Sequence, residues 1–156
     1  MVVPLTARRI VLRVVLTTVI FAALDFLWLG VFMNGFYKAE LGALARLSGP
    51  DFAPVWSAAL AVYAVLVTGL VVFVLPRTAG NPTRALGLGA LQGLVTYGTY
   101  DLTAYSVIQG WSLRMTLVDM VWGASICGLT CAVVTMLEPR LVALPERRPV
   151  GAGQSA

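Results

Sequence analysis

Four long apolar segments constrain the fold more than any other feature of this 156-residue chain. They are residues 10–33, 55–75, 85–108 and 115–137, and together they hold 92 residues but only four charged side chains. Each segment is long enough to cross a bilayer core of about 30 Å at about 1.5 Å per residue of helix. The sequence therefore predicts an all-α, polytopic membrane protein, with four transmembrane helices in an antiparallel bundle.

The composition excludes several other classes of protein. Hydrophobic residues make up 59% of the chain and charged residues 12%, against about 45–50% and about 25% in soluble globular proteins. A chain with so little polar surface is not a secreted disulfide scaffold, a nucleic-acid-binding module or an ordinary soluble enzyme. The partner that the composition predicts is the lipid bilayer, and no nucleic acid is expected.

The basic residues predict the orientation of the bundle in the membrane. Three of the eleven flank one end of the predicted helices, namely Lys38, Arg46 and Arg114. The other eight lie at the opposite end, namely Arg8, Arg9, Arg13, Arg77, Arg84, Arg140, Arg147 and Arg148. Because Lys and Arg accumulate on the cytoplasmic side, both termini are expected in the cytoplasm, with loops 34–54 and 109–114 outside.

The chain is expected to form one transmembrane domain, residues 1–137, followed by a disordered cytoplasmic tail, residues 138–156. The tail is basic and rich in Pro and Gly, and Glu138-Pro139 is expected to stop the fourth helix because proline removes a backbone donor. In the outer loop 34–54, Tyr37, Leu41 and Leu44 recur at helical spacing. This pattern predicts a short helix in the outer membrane interface.

Small residues predict that the third and fourth transmembrane helices form the tightest pair. Ala85, Gly89 and Gly93 recur every four residues in the third, and Gly123 and Cys127 in the fourth. Lipid supplies no hydrophobic force between helices, so small residues that let backbones approach mark packing surfaces. Such patterns are common in membrane helices and indicate packing, not a function.

The two cysteines do not predict a cofactor. Cys127 and Cys131 are four residues apart, and the chain contains no histidine. A metal or haem site would need more ligands than this pair provides. We therefore expect small packing thiols in a reducing compartment, with no metal and no cofactor.

Three carboxylates inside the predicted spans are the candidate functional residues. Asp25, Asp101 and Asp119 lie roughly 12, 10 and 6 Å below the outer ends of their helices at the helical rise per residue. Each costs about 2.5 to 3.5 kcal/mol near a helix centre, so an interaction must offset the cost. Their similar depths predict one shared cluster in the outer half of the membrane.

Aromatic residues accompany these carboxylates. Trp28 and Trp122 follow Asp25 and Asp119 at i+3, on the same helical faces, and Tyr97 shares a face with Asp101. Tyr100 is adjacent to Asp101, and Tyr63 on the second span is level with Asp25. We therefore predict a buried site that opens outward, with Arg114 near its mouth as the nearest cation, made of Asp25, Asp101, Asp119, Trp28, Tyr63, Tyr97, Tyr100, Trp122 and Arg114.

The shortage of positive charge bears on what this site holds. Three ionised aspartates would repel one another without buried cations to offset them. At least one is expected to be protonated, or else the site holds a cation, a proton in transit or the cationic group of a ligand. A purely structural role, in which the carboxyls only hydrogen-bond across helix interfaces, also fits the pattern.

Several segments resemble a known family. They are LDFLWLG (24–30), FY (36–37), YGTYDLT (97–103), GW (110–111) and VDMVWG (118–123). As a set they are similar to the DUF2177 family of predicted bacterial membrane proteins, over roughly residues 10 to 137. The resemblance implies a four-helix protein of the bacterial inner membrane without an established activity. It departs from the family at Ala104 and Ser112, where asparagine and proline are usual.

Three functions are compatible with the sequence. In the first, the carboxylate and aromatic cluster binds or passes a proton, a cation or a cationic solute. In the second, two carboxylates act as acid and base in an intramembrane enzyme, or its accessory, that modifies a lipid or acyl chain. In the third, the chain is an assembly subunit that meets another membrane protein. A homo-oligomer fits each of them, and whether the protein is an enzyme stays open.

Overall fold

The computed structural model of the chain describes residues 7–142, which form four long helices, one short helix and a small hairpin. Residues 1–6 and 143–156 lie outside the described part. The elements are α1 (Ala7–Phe32), α2 (Asn34–Leu41), a 3₁₀ turn (Gly42–Leu44), β1 (Leu47–Ser48), β2 (Asp51–Phe52), α3 (Trp56–Arg77), α4 (Pro82–Val107) and α5 (Leu113–Val142).

The long helices run antiparallel, which divides the molecule into two ends. The end that carries α2, the hairpin and the α4–α5 connection is called the upper end. The lower end carries the turn between α3 and α4, the start of α1 and the end of α5. Side-chain contacts fix this arrangement, since Asp25 of α1 meets Trp122 of α5 near the upper end and Arg13 meets Glu138 near the lower end.

Three helices of the described chain, α1, α3 and α5, are long and apolar enough to cross a membrane. Helix α4 has 26 residues, enough for about 39 Å at the helical rise, but its threonines, tyrosines and Gln92 make it more polar. The predicted spans all fall on these four helices. The outer loop also contains the predicted short helix, α2, followed by a hairpin that turns at Gly49-Pro50.

The predicted end of the fourth helix is wrong. Helix α5 does not stop at Glu138-Pro139 but continues through the proline to Val142. A proline deletes one backbone hydrogen bond, but the neighbouring Glu138 is buried and paired with Arg13, which holds this turn against α1. Residues 138–142 are therefore helical, and the rest of the predicted tail, 143–156, lies outside the described residues.

Two helices widen into π-helical turns that the sequence pattern did not predict. Residues Phe26–Phe32 end α1, and Leu70–Val74 lie in the lower half of α3. A glycine lies within or directly before each segment, Gly30 in the first and Gly69 in the second. Such turns are often found at functional sites. The first one begins directly after Asp25, so the Trp28 side chain points in a different direction from the one it would have in a regular α-helix.

The tightest helix pair is α4 with α5, as predicted from the small residues. A Cβ added at Gly89 would lie 2.6 Å from the carbonyl oxygen of Cys127, so only glycine permits this approach. Cys127 and Cys131 are buried and unpaired, in agreement with the prediction that they are packing thiols. The two backbones thus pack directly against each other along the middle of the bundle.

The hydrophobic core occupies the lower half of the bundle, where α1, α3, α4 and α5 meet. Its fully buried members include Phe21, Leu70, Ile126 and Val134. The upper half instead buries carboxyl and phenol groups. The core therefore holds the four long helices together below the level of the aspartates and fixes where their side chains can meet.

Three threonines in this lower half are buried without a hydrogen-bond partner, namely Thr17, Thr130 and Thr135. A buried hydroxyl that makes no hydrogen bond costs about 1–3 kcal/mol. We expect the change Thr130→Val, which keeps the shape and removes the hydroxyl, to increase the free energy of unfolding by about 1 kcal/mol. Thermal unfolding in detergent micelles, monitored by tryptophan fluorescence, measures this change in the free energy of unfolding.

The matched control for this change is Thr68→Val. Thr68 is exposed, and its hydroxyl donates to the carbonyl of Ala64 at 2.7 Å, so its removal is expected to change stability by less than about 0.5 kcal/mol. A loss of stability in Thr130→Val would show that the hydroxyl has a partner, such as a buried water, which valine cannot bind.

Candidate functional site

The three aspartates lie in one cluster in the upper half of the bundle, each on a different helix. Asp25 ends the α-helical part of α1, Asp101 lies in α4 and Asp119 in α5. Asp25 and Asp101 are buried, with 7% and 0% of their surface exposed, and Asp119 is half-buried. Helix α3 contributes Tyr63, and α2 closes the cluster from above through Tyr37.

Asp25 has hydrogen bonds to both of its carboxylate oxygens. The Tyr63 hydroxyl donates to Oδ2, and the Trp122 indole Nε1–H donates to Oδ1 at 3.2 Å. These contacts join three helices, α1, α3 and α5, at a single side chain.

Asp119 is held by a second chain of hydrogen bonds. The Trp28 indole donates to the Tyr37 oxygen at 3.0 Å, and the Tyr37 hydroxyl donates to Asp119 Oδ1. Burial raises the pKa of Tyr37 far above its usual range, and the adjacent Asp119 raises it further. The phenol therefore keeps its proton and remains a donor, so α2 is tied to the site as a cover.

Asp101 is different, because among the described residues no hydroxyl, indole or amide group donates a hydrogen bond to either of its carboxylate oxygens. Its carboxyl is placed to share a hydrogen bond with that of Asp119, which requires a proton on one of the two. A buried polar group without a partner is costly, and two adjacent carboxyls cannot both be ionised without a strong penalty. Asp101 is therefore satisfied only through Asp119, by a proton that the two carboxyls share.

Aromatic rings form the walls between these carboxyls. Trp28 and Trp122 stack face to face, with ring centroids 4.3 Å apart and planes inclined by 6°. The ring of Tyr97 packs on Gly123, and its hydroxyl is close enough to Asp25 and Asp119 to interact with both. Since the Tyr97 hydroxyl makes no hydrogen bond to any described residue, it is an unused donor beside the cluster.

Seven of the nine predicted site residues meet here, Tyr100 lies at the edge of the cluster, and Arg114 lies outside it. Tyr100 is 62% exposed and packs edge to face on Trp111, but its phenol is close enough to Asp101 and Asp119 to interact with their charges. Successive residues of a helix point about 100° apart, so Tyr100 is more exposed than its inward neighbour Asp101. Arg114 pairs with Glu40 at 3.2 Å and lies over the Phe36 ring, so its charge is directed to the α2 cover.

Two functional candidates were missed by the sequence reasoning, Tyr37 and Glu40. Both lie on α2, which was predicted to rest in the membrane interface. Instead Tyr37 enters the site, and Glu40 accepts a hydrogen bond from Ser112 as well as pairing with Arg114. The only early signal for Tyr37 was its place in the FY motif at 36–37, directly after the segment with Asp25 and Trp28.

Positive charge is absent from the interior of the cluster. Among residues 7–142, no Lys or Arg forms a salt bridge with Asp25, Asp101 or Asp119. Nor does this described part contain a group of three or more Cys, Asp or Glu side chains arranged to hold one metal ion. The arrangement can instead share or exchange a proton between adjacent carboxyls, or surround an organic cation with carboxylates and aromatic rings.

Comparison with known proteins supports the assignment to a membrane protein family. The family described as "Predicted membrane protein (DUF2177)" matches residues 10–137. This range contains all nine predicted site residues as well as Tyr37 and Glu40. No curated protein and no solved structure matches the chain.

Proposed function

We propose that this chain, which belongs to the DUF2177 family of predicted membrane proteins, spans the bacterial inner membrane four times and binds a proton or an organic cation at its carboxyl cluster. The family and the long apolar helices support a multi-pass membrane protein. The binding role is supported by one observation above the others, the buried carboxyl of Asp101, which receives no hydrogen bond from a hydroxyl, indole or amide group of the described residues and adjoins the carboxyl of Asp119.

The fourth crossing is supported by connectivity. Only residues 78–81 connect α3 to α4, and only residues 108–112 connect α4 to α5. If α3 and α5 both cross the bilayer, connections of this length require α4 to cross between them. The polar and glycine residues of α4 that lower its hydropathy face α5 in part, where Gly89 and Gly93 are buried.

The orientation rests on the distribution of charge. Arg9, Arg13, Arg77, Arg84 and Arg140 are at the lower end of the helices, which the positive-inside rule assigns to the cytoplasm. The carboxyl cluster then lies in the outer half of the membrane, beneath α2.

The choice between ligands follows from charge and from geometry. The cluster brings together three carboxyls with no internal cation, so it favours a positively charged occupant or a shared proton. Among the described residues no three carboxyl or thiol groups are arranged to hold one metal ion, so the occupant is expected at the Asp101–Asp119 pair, with Asp25 nearby. Either a proton shared by the Asp101–Asp119 pair or an ammonium group bound in its place would satisfy the hydrogen bonds of the same carboxyl oxygens.

The experiment compares Asp101→Asn with Asp51→Asn, a matched change at a carboxylate that is 85% exposed on the hairpin. Infrared spectroscopy of the purified protein at neutral pH is expected to show the band of a protonated carboxylic acid. Because asparagine keeps the shape but removes the acid, the band should disappear in Asp101→Asn and persist in Asp51→Asn.

The same proteins test for cation binding. Butylammonium chloride is expected to remove the acid band of the wild type, because an ammonium group lets the pair ionise, and to raise its melting temperature relative to sodium chloride. At one hundred times its dissociation constant a ligand adds about 2.7 kcal/mol to the stability of the folded state. A wild type with neither a protonated carboxyl nor a response to butylammonium contradicts the proposal.

A further inference from the structure

A groove lies between α3 and α4, directly below the carboxyl cluster. Its volume is about 410 Å³, within the range of small-molecule binding sites. It is open on one side, and Val65 and Phe73 on its α3 wall are 71% and 57% exposed on the outer surface of the bundle. The lining is mostly apolar and includes Leu66, Leu70, Phe73, Gln92, Thr96 and Cys127.

The groove arises because α3 and α4 are in contact only in their lower halves. The π-helical turn Leu70–Val74 packs against α4, but the upper part of α3 packs on α1 instead. The helices therefore separate toward the upper end, and Gly69 leaves further space between them. In a membrane such an opening faces the hydrocarbon chains of lipids.

The upper end of the groove adjoins the carboxyl cluster. Ala64 and Thr96 line the groove, and the next residues in sequence are Tyr63 and Tyr97, both close to Asp25. Cys127 also lines the groove, and its thiol lies within electrostatic range of Asp25. Tyr63 and Tyr97 therefore lie between the upper end of the groove and Asp25, and the Tyr97 hydroxyl is an unused donor at this boundary.

We propose that the groove and the cluster together bind a single-chain amphiphile with a primary ammonium head, the hydrocarbon chain lying in the groove and the head at the Asp101–Asp119 pair, near Asp25. This proposal rests on the proposed function and names its ligand class. Charge selects the head, since the carboxyls would repel an anionic group and a neutral head would leave them uncompensated. Along α3 the cluster lies above the groove. An amphiphile in the outer leaflet has the same arrangement, with its head above its hydrocarbon chain.

The two parts of the ligand have different roles. The hydrocarbon chain leaves lipid for a similarly apolar groove, so it gains little from the transfer. The ammonium group moves to the Asp101–Asp119 pair, in a region of low dielectric near Asp25, and provides the selectivity. Because the hydrocarbon chain of the ligand lies in the groove, its ammonium group enters the cluster laterally, from within the bilayer, between Tyr63 and Tyr97.

The test combines three probes with variants of the groove and the cluster. Dodecylammonium has both chain and charge, butylammonium has charge without a long chain, and dodecanol has the chain without charge. The change Gly69→Leu should fill the groove, because a Cβ at this position meets nothing closer than Gln92 Nε2 at 3.9 Å. Gly87→Leu is the matched control, since a Cβ there has no neighbour within 4 Å.

Native mass spectrometry from detergent micelles measures which probes stay bound. The wild type and Gly87→Leu should retain dodecylammonium but not dodecanol, and Gly69→Leu should lose at least about tenfold in dodecylammonium retention. The melting-temperature rise with butylammonium should be the same in all three proteins. The Asp101→Asn variant should bind neither dodecylammonium nor butylammonium. If Gly69→Leu does not fold, Ala64→Phe, at another groove-lining position, takes its place.

Two outcomes separate this proposal from the proposed function. If Gly69→Leu and Ala64→Phe both fold and bind dodecylammonium as well as the wild type does, the groove is not part of the site, although the cluster still binds cations. If neither amine binds to the wild type, cation binding at the cluster fails, and the amphiphile proposal fails with it.

Discussion

Replacement of Gly93 by alanine is expected to destabilise the protein by about 3 kcal/mol or more. A Cβ at this position overlaps the carbonyl oxygen of Gly123 and lies 2.9 Å from Cys127 Cβ. Overpacking a well-packed interior typically costs about 1–3 kcal/mol when side chains can move. Here the obstacle is the backbone of α5, so relief requires α4 and α5 to separate.

The loss should appear as a lower unfolding midpoint in dodecylmaltoside titrated with sodium dodecyl sulfate, followed by tryptophan fluorescence. The matched control is Gly87→Ala on the same helix, where the added Cβ has no neighbour within 4 Å. Because alanine restricts the unfolded chain and favours the helix, this control should be neutral or more stable by up to about 1 kcal/mol. Equal midpoints for the two variants would contradict the direct backbone contact between α4 and α5.

Replacement of Glu138 by alanine is expected to cost about 3–5 kcal/mol, the loss that follows when one partner of a buried ion pair is removed. The Arg13 Nε–H donates to Glu138 Oε2 at 2.7 Å, and Arg9 Nε lies 4.0 Å from Oε1. The side chains of Arg13 and Glu138 are only 15% and 10% exposed. Without the carboxylate, the Arg13 guanidinium is left without a counter-ion at the α1–α5 interface.

A double-mutant cycle separates this pair from its surroundings. Arg13→Ala should also destabilise the protein, and the double variant should cost clearly less than the sum of the two single changes. Arg114→Ala is the exposed control. Its side chain is 75% exposed in the pair with Glu40, and removal is expected to cost less than about 1 kcal/mol. Additive effects of the Arg13 and Glu138 changes would show that the two groups do not interact.

The helices were the most predictable part of the structure. The four predicted spans fall on α1, α3, α4 and α5 because apolar runs of this length leave few other solutions in a bilayer. The end of α5 was mispredicted at Pro139, since the sequence rule for proline takes no account of a tertiary contact. There, the pairing of Arg13 with Glu138 supports a turn that proline alone would end.

The site was predictable in its depth but not in its connections. Helical rise places Asp25, Asp101 and Asp119 at similar heights, and the structure brings them together. The geometry of a single helix also explains why Tyr100 is exposed while its neighbour Asp101 is buried. By contrast, Tyr37 reaches Asp119 across 82 positions of sequence, and no local pattern in α2 specifies that contact.

The sequence by itself determined that this chain enters a membrane, which segments become helices, and which acidic residues must be compensated. These are properties of local composition and of the 1.5 Å rise, which each segment carries independently. Only the tertiary structure decided that Asp25 is satisfied by Tyr63 and Trp122 while the carboxyl of Asp101 meets that of Asp119, and that α3 and α4 diverge into a groove. Those features depend on helix rotation and separation, set by the α4–α5 glycine contact and the lower core, which involve residues far apart in the chain.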